Sequence, residues 1–190
     1  MKINKGDFGY IKSQRRKSIL LTVLFAVIDF GVFAAGYYLN GGDRRNIYTI
    51  IAAVGGIPLA MAVVKLVMVS LRKPMDPELH REISSVSGDL HMMYELFLTT
   101  RDKNLFLDAT AICGPFVACY TSEKKEPQYI AFMEDHIRKS FRQQGYKMTV
   151  KIFDQKDKYL ERVAQLAEKN SDYEEDRYPF EIAIMQAISL

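Results

Sequence analysis

The sequence predicts an α+β protein in two parts: a hairpin of two membrane-spanning helices over residues 19–71, then a small cytoplasmic α/β domain over 72–190. The domain is expected to run helix, three-stranded antiparallel meander, helix, strand, helices. Three observations carry this reading. Two uninterrupted apolar runs stand near the start, cationic residues flank them on one side, and the remainder alternates between strand and helix periods.

The runs come first in the chain. Ile19 to Leu39 is a stretch of 21 residues with one charge, and Ile47 to Leu71 is as apolar. At about 1.5 Å per residue each spans the roughly 30 Å hydrocarbon layer. The first run exceeds the usual length of a signal-peptide core, so an uncleaved span is expected. Lys2, Lys5, Lys12, Arg15, Arg16 and Lys17 precede it, and Arg72 and Lys73 follow the second run. The loop Asn40 to Asn46 carries only Arg44 and Arg45, beside Asp43. By the positive-inside rule both termini, and the domain, lie in the cytoplasm, which makes this a multi-pass protein of the cytoplasmic (inner) membrane. Residues 1–18 read as a basic juxtamembrane segment lying along the lipid headgroups.

Small residues four apart, Gly31 with Ala35 and Ala52 with Gly56 and Ala60, suit close helix contact. Pro58 removes a backbone donor within the second run. Asp29 and Lys65 stand inside the runs at nearly matching depth, and pairing within the hairpin or between copies is the expected use of Asp29. Membrane pairing is therefore assigned to Asp29, Lys65, Gly31, Ala35 and Gly56.

Charge divides the chain. Residues 1–73 hold 11 Lys and Arg against 3 Asp and Glu, whereas 74–190 hold 15 against 20. A mildly acidic domain is a poor surface for nucleic acid, and no nucleic-acid partner is expected. Cys113 and Cys119 lack metal or redox spacing and read as buried thiols. His80, His91 and His136 form no ligand pair, so no resident cofactor is expected.

In the domain, Asp76 before Pro77 is a helix start, and Gly88 ends that helix after about Ser87. Leu90 to Thr100 alternates Met92, Tyr94, Leu96 and Leu98 as a strand would, with helix as the open alternative. Asn104 to Cys113 and Phe116 to Thr121 flank Gly114 and Pro115 in a strand-turn-strand pattern. Pro127 to Gln144 is an amphipathic helix with Ile130, Met133, Ile137 and Phe141 on one stripe, closed by Gly145. Tyr146 to Phe153 alternates as a half-buried strand. Asp154 is placed to cap a helix carrying Tyr159, Leu160, Val163, Leu166 and Ala167. Lys169 to Arg177 reads as an acidic loop, and Pro179 to Leu190 as a last helix. One helix layer on a mostly antiparallel sheet is the expected packing.

This order, with LFLDATAICGPFVACYTSEKK, resembles the restriction-endonuclease-like fold and its nuclease-related domains. That resemblance implies a divalent metal held by an Asp on the second strand and a Glu on the third, with a Lys two residues on positioning water. Asp108, Glu123 and Lys125 match those roles: Asp108 and Glu123 as metal ligands, and all three as catalytic residues. Glu123 and Lys125 stand beyond the strand end, and the domain is acidic, so this is the alternative reading. The whole chain, through GDFGYIKSQRRK, PMDPEL and DATAICG, also resembles bacterial membrane proteins that join two spans to a small cytoplasmic domain; that resemblance implies topology and assigns no activity. No GxGxxG, P-loop, HExxH or GxSxG is present. The expected function is thus a membrane-anchored interaction or accessory module, with lipid and a protein partner or a second copy as partners. A tethered hydrolase is the first alternative and an oligomeric transporter or channel component the second.

Overall fold

The computed structural model describes residues 3–100, 103–173 and 178–189. The chain forms two compact units, Ile11–Pro74 and a second made of Met1–Tyr10 with Met75–Leu190.

The first unit is the hairpin of α1 (Tyr10–Leu39) and α2 (Ile47–Ser70). Both helices are long and apolar enough to cross a membrane, and their apolar windows are only 6% buried. Asn46 caps α2 by accepting the Thr49 N–H at 3.0 Å. At its other end Arg15 donates to the carbonyls of Ser70 and Arg72 at 3.1 and 2.9 Å, placing a cation where unpaired carbonyls gather. Pro58 lies within an unbroken α2.

The less exposed positions trace the seam. On α1 they include Ser18, Thr22, Phe25, Asp29, Val32 and Gly36; on α2, Ala52, Gly55, Leu59, Ala62, Leu66 and Val69. Alternating steps of three and four keep one stripe facing its partner. A Cβ on Gly36 would collide with the Tyr48 side chain, and one on Gly55 would stand 2.5 Å from the Asp29 carboxylate. The glycines against the neighbouring helix are therefore Gly36 and Gly55. A Cβ on Gly31 or Gly56 would meet nothing within 4 Å, and Ala35 is exposed. Gly36→Leu is accordingly expected to cost the hairpin about 1–3 kcal/mol by overpacking. Gly31→Leu should stay within about 0.5 kcal/mol. Thermal unfolding of both variants in detergent checks the contrast.

In the second unit α3 (Pro77–Ser87) precedes β1 (His91–Thr99), β2 (Asn104–Cys113) and β3 (Phe116–Tyr120). Then come α4 (Pro127–Gln143), β4 (Thr149–Phe153), α5 (Lys156–Glu168), a 3-10 turn at Asn170–Asp172, and α6 (Tyr178–Ile188). Asp76 caps α3 by accepting the Glu78 N–H at 3.0 Å, with Pro77 at the first helical position. Residues 91–99 are strand, which resolves the open choice there. Gly145 ends α4 at φ +86, with Tyr146 N–H returning to Phe141 C=O and Gly145 N–H to Arg142 C=O, both at 3.0 Å. Gln155, not Asp154, stands at the N-cap of α5 and makes no side-chain cap bond.

The sheet order is β1-β2-β3-β4; the first three strands are antiparallel, and β4 is parallel to β3 after the α4 crossover. Helices cover both faces, not one. Met133, Ile137 and Phe141 of α4 and Met185 of α6 pack with Leu96, Leu98, Leu105, Leu107 and Val150. Ile83 of α3 and Tyr159, Val163 and Leu166 of α5 pack on Ala109, Ala111, Cys113 and Ala118. The second layer follows from those alanines, whose small side chains let a helix approach the strands while still burying them. β2 is accordingly buried from Leu105 to Cys113.

The edges of the sheet are met by the domain's own groups. At β1, Tyr94 N–H donates to Gly6 C=O at 2.7 Å, and Leu98 forms an isolated bridge with Ser189. Lys5 Nζ donates to the carbonyls of Gln186 and Ser189, near the end of α6. Residues 3–9 are thus a strap of the domain. At β4, Ile152 N–H donates to Glu134 Oε1 at 2.9 Å, and Lys151 lies 3.1 Å from the same oxygen.

Candidate functional site

Side chains should alternate between sheet faces along a strand. β1 keeps that rule only in part: Met92 and Tyr94 pack toward α3 and α5, Met93 packs toward α4 and α6, and Leu96 and Leu98 join Met93. The step from Met93 to Leu96 is odd. Glu95 absorbs it with φ +54, unusual for a residue with a side chain. β2 reverses as well, since Leu105 and Leu107 face one layer while Ala109, Ala111 and Cys113 face the other. Its reversal falls at Asp108. With Tyr94 paired to Ala109 and Leu96 to Leu107, Glu95 and Asp108 face each other in the register. The same row reaches Thr121, one residue past the Ala109–Tyr120 pair, whose N–H bonds Phe153 C=O at 3.0 Å.

This row is polar and sealed: Glu95 is 3% exposed, Asp108 4% and Thr121 0%. Each carboxylate is bonded by a backbone N–H from beyond the strands. Glu95 Oε1 accepts the Met75 N–H at 2.9 Å, and Asp108 Oδ2 accepts the Ser122 N–H at 2.6 Å. Burial pushes the Asp108 carboxyl above the usual carboxylate range and the nearby Glu123 charge adds to the rise, while hydrogen bonds from Ser122 oppose it.

Four tyrosine and histidine side chains lie close by. Tyr120 and Tyr159 have ring centroids 5.4 Å apart, and His80 stands 4.8 Å from Tyr94. Burial pushes the Tyr159 phenol well above its ordinary value, with smaller contributions from Cys119, Tyr94 and Asp108. Its hydroxyl is buried and has no hydrogen-bond partner among the described residues. Tyr159→Phe should therefore be neutral or stabilising by up to about 1 kcal/mol in thermal unfolding; a loss above about 1.5 kcal/mol would reveal a partner for the hydroxyl. Both thiols are buried, and burial pushes Cys119 up to about 12 and also raises Cys113, whose Sγ–H donates to Leu166 C=O at 3.5 Å.

Of the residues matching the nuclease pattern, Asp108 lies within the sheet and the other two outside it. β3 ends at Tyr120, and Glu123 pairs with Lys125 at 3.2 Å, each about a third exposed. Lys125 also stands 5.3 Å from the Tyr129 ring. Glu123 is near enough for its charge to be felt at Asp108, but its own ion pair holds it at the surface. Asp108 and Glu123 each have one carboxylate oxygen engaged, by the Ser122 N–H and by Lys125. Among the described residues no three of His, Cys, Asp and Glu converge into a metal-holding group.

In the hairpin, Asp29 lies on the seam over Gly55, while Lys65 is on the exposed side of α2, where it lines a shallow apolar groove with Gly56, Ala60 and Met61. No Asp29–Lys65 ion pair occurs among the described residues. Sequence reasoning gave no site role to Glu95, Tyr94, His80 or Tyr159. The one available signal was an acid inside MMYELFL, charged where a buried strand wants none. No protein-family profile, curated protein or solved structure matches the chain.

Proposed function

We propose that this chain is a membrane-anchored module whose C-terminal domain lies in the cytoplasm and acts by binding a protein partner rather than by catalysis. The observation that carries this reading is the engagement of its acid row: Asp108 is buried against the Ser122 N–H, and Glu123 is turned to Lys125 instead of to Asp108. Chemistry would need those groups to converge on one reacting atom. The anchor is supported by the outward apolar side chains of α1 and α2, which a lipid environment suits and water does not. The cations Lys12, Arg15, Arg16 and Lys17 before the first apolar run, with Arg72 and Lys73 after the second, support a cytoplasmic orientation. Self-association in the membrane is supported by the groove around Gly56 and Ala60, whose small residues would admit a second helix. Crosslinking in the native membrane, detergent extraction and mass spectrometry test the reading. Specific recovery of one partner or of a crosslinked self-oligomer supports it, and a monomer with nothing enriched rejects it.

A metal-dependent hydrolase is the second reading, favoured by the strand order and by the charge of Glu123 reaching Asp108. Magnesium-dependent cleavage of nucleic acid that disappears in Asp108→Ala would establish it. No cleavage by the parent protein would sink it.

A further inference from the structure

Two segments of the second unit lead to the apolar helices: residues 3–9, which run into α1 at Tyr10, and Met75, five residues after α2 ends at Ser70. They are about seventy residues apart in sequence, yet they are bound by consecutive residues of β1. Tyr94 N–H donates to Gly6 C=O at 2.7 Å. The Tyr94 ring meets Phe8 edge-on at 6.4 Å, and His80 stacks on Phe8 at 3.9 Å and leans on Tyr94 at 4.8 Å. Gly6, at φ +96, fits so closely that a Cβ there would stand 3.0 Å from the Met93 side chain. The next residue, Glu95, accepts the Met75 N–H at 2.9 Å, with Met75 and Glu95 each 3% exposed.

Glu95 makes these contacts from a left-handed backbone, and it faces Asp108 at the row where both strands reverse. A left-handed glutamate within a strand persists only where its surroundings over-determine it. Here the strap bonds on one side and the Met75 bond on the other supply that determination. Loss of either would let the backbone of residues 94–96 relax, which would loosen the other.

We propose that Tyr94–Glu95 is a coupling junction, through which the segments leading to α1 and to α2 are linked to each other and to the acid row at the centre of the sheet. The anchor is then an input to the domain as well as a leash. This goes beyond the binding role above and does not depend on which partner the domain takes.

Coupling of this kind is reciprocal. It is tested by hydrogen exchange on the full-length protein in lipid nanodiscs, read at the amides of Met75 and Tyr94. Phe8→Ala, which removes the strap's ring contacts with His80 and Tyr94 and leaves the groups of the Met75–Glu95 hydrogen bond intact, should speed exchange at Met75 about tenfold or more. Glu95→Ala should speed exchange at Tyr94 by a similar factor, and Glu95→Gln, which keeps an acceptor for Met75, should do so far less. Lys156→Ala, which breaks the 2.8 Å pair with Glu82 on α3, should leave both amides unchanged. Phe8→Leu, keeping apolar bulk without the ring, replaces alanine if that variant does not fold. The proposal is overturned if each variant loosens only its own contact, or if exchange rises equally through α4 and the whole domain.

Discussion

Truncating Ile83 to alanine is expected to destabilise the C-terminal domain by about 2–5 kcal/mol, as much as truncating Ile137 on the opposite face of the sheet. Both side chains are fully buried, one under α3 and the other under α4. The comparison is informative because a single-layer domain would lose heavily from Ile137→Ala and little from Ile83→Ala. Chemical unfolding followed by circular dichroism measures it. A change within about 0.5 kcal/mol for Ile83→Ala would mean that α3 is an accessory to the fold.

Asp108→Asn is expected to stabilise the domain, by an amount that grows with pH. In the folded state burial raises the Asp108 carboxyl above its unfolded value, so the folded protein holds a proton that the unfolded chain releases. Its contribution is fully present below the unfolded value near 4 and is lost as pH rises through the higher folded value, with a slope of at most about 1.4 kcal/mol per pH unit for one proton. Asparagine stays neutral and keeps an oxygen for the Ser122 N–H. Variant and parent should therefore agree in melting temperature below the unfolded value near 4 and diverge as pH rises above it, the parent melting lower. A parent that gains stability relative to Asp108→Asn as pH rises would mean the carboxylate is favoured by a charge partner and not penalised by burial.

What the sequence disclosed, and what it withheld, follows from the range of the forces involved. Asp76 with Pro77, the pair Gly114 and Pro115, and the stripe Met133, Ile137, Phe141 act over a few residues and could be read locally. The strap could not, since nothing in residues 3–9 announces a bond to Tyr94. The seam of the hairpin was obscured for another reason: helices apolar on all sides carry no stripe, so the phase selecting Gly36 and Gly55 over Gly31 and Gly56 is absent from the pattern. The second helix layer did leave a trace in LFLDATAIC, a strand without the polar alternation of a one-sided sheet. Asp108 was legible as a residue, but its confinement by Ser122 and the separate pairing of Glu123 depend on where β3 stops.

The clamp of Glu134 on Ile152 has a consequence for life on a two-dimensional surface. Domains tethered to one bilayer meet at effective concentrations far above those of free solution, and an open strand would there find its twin readily. With Glu134 occupying that amide and Lys151 beside it, strand-to-strand growth from β4 would first have to displace a carboxylate and then crowd like charges together. Growth of the sheet from β4 would thereby be disfavoured wherever copies of this chain crowd together.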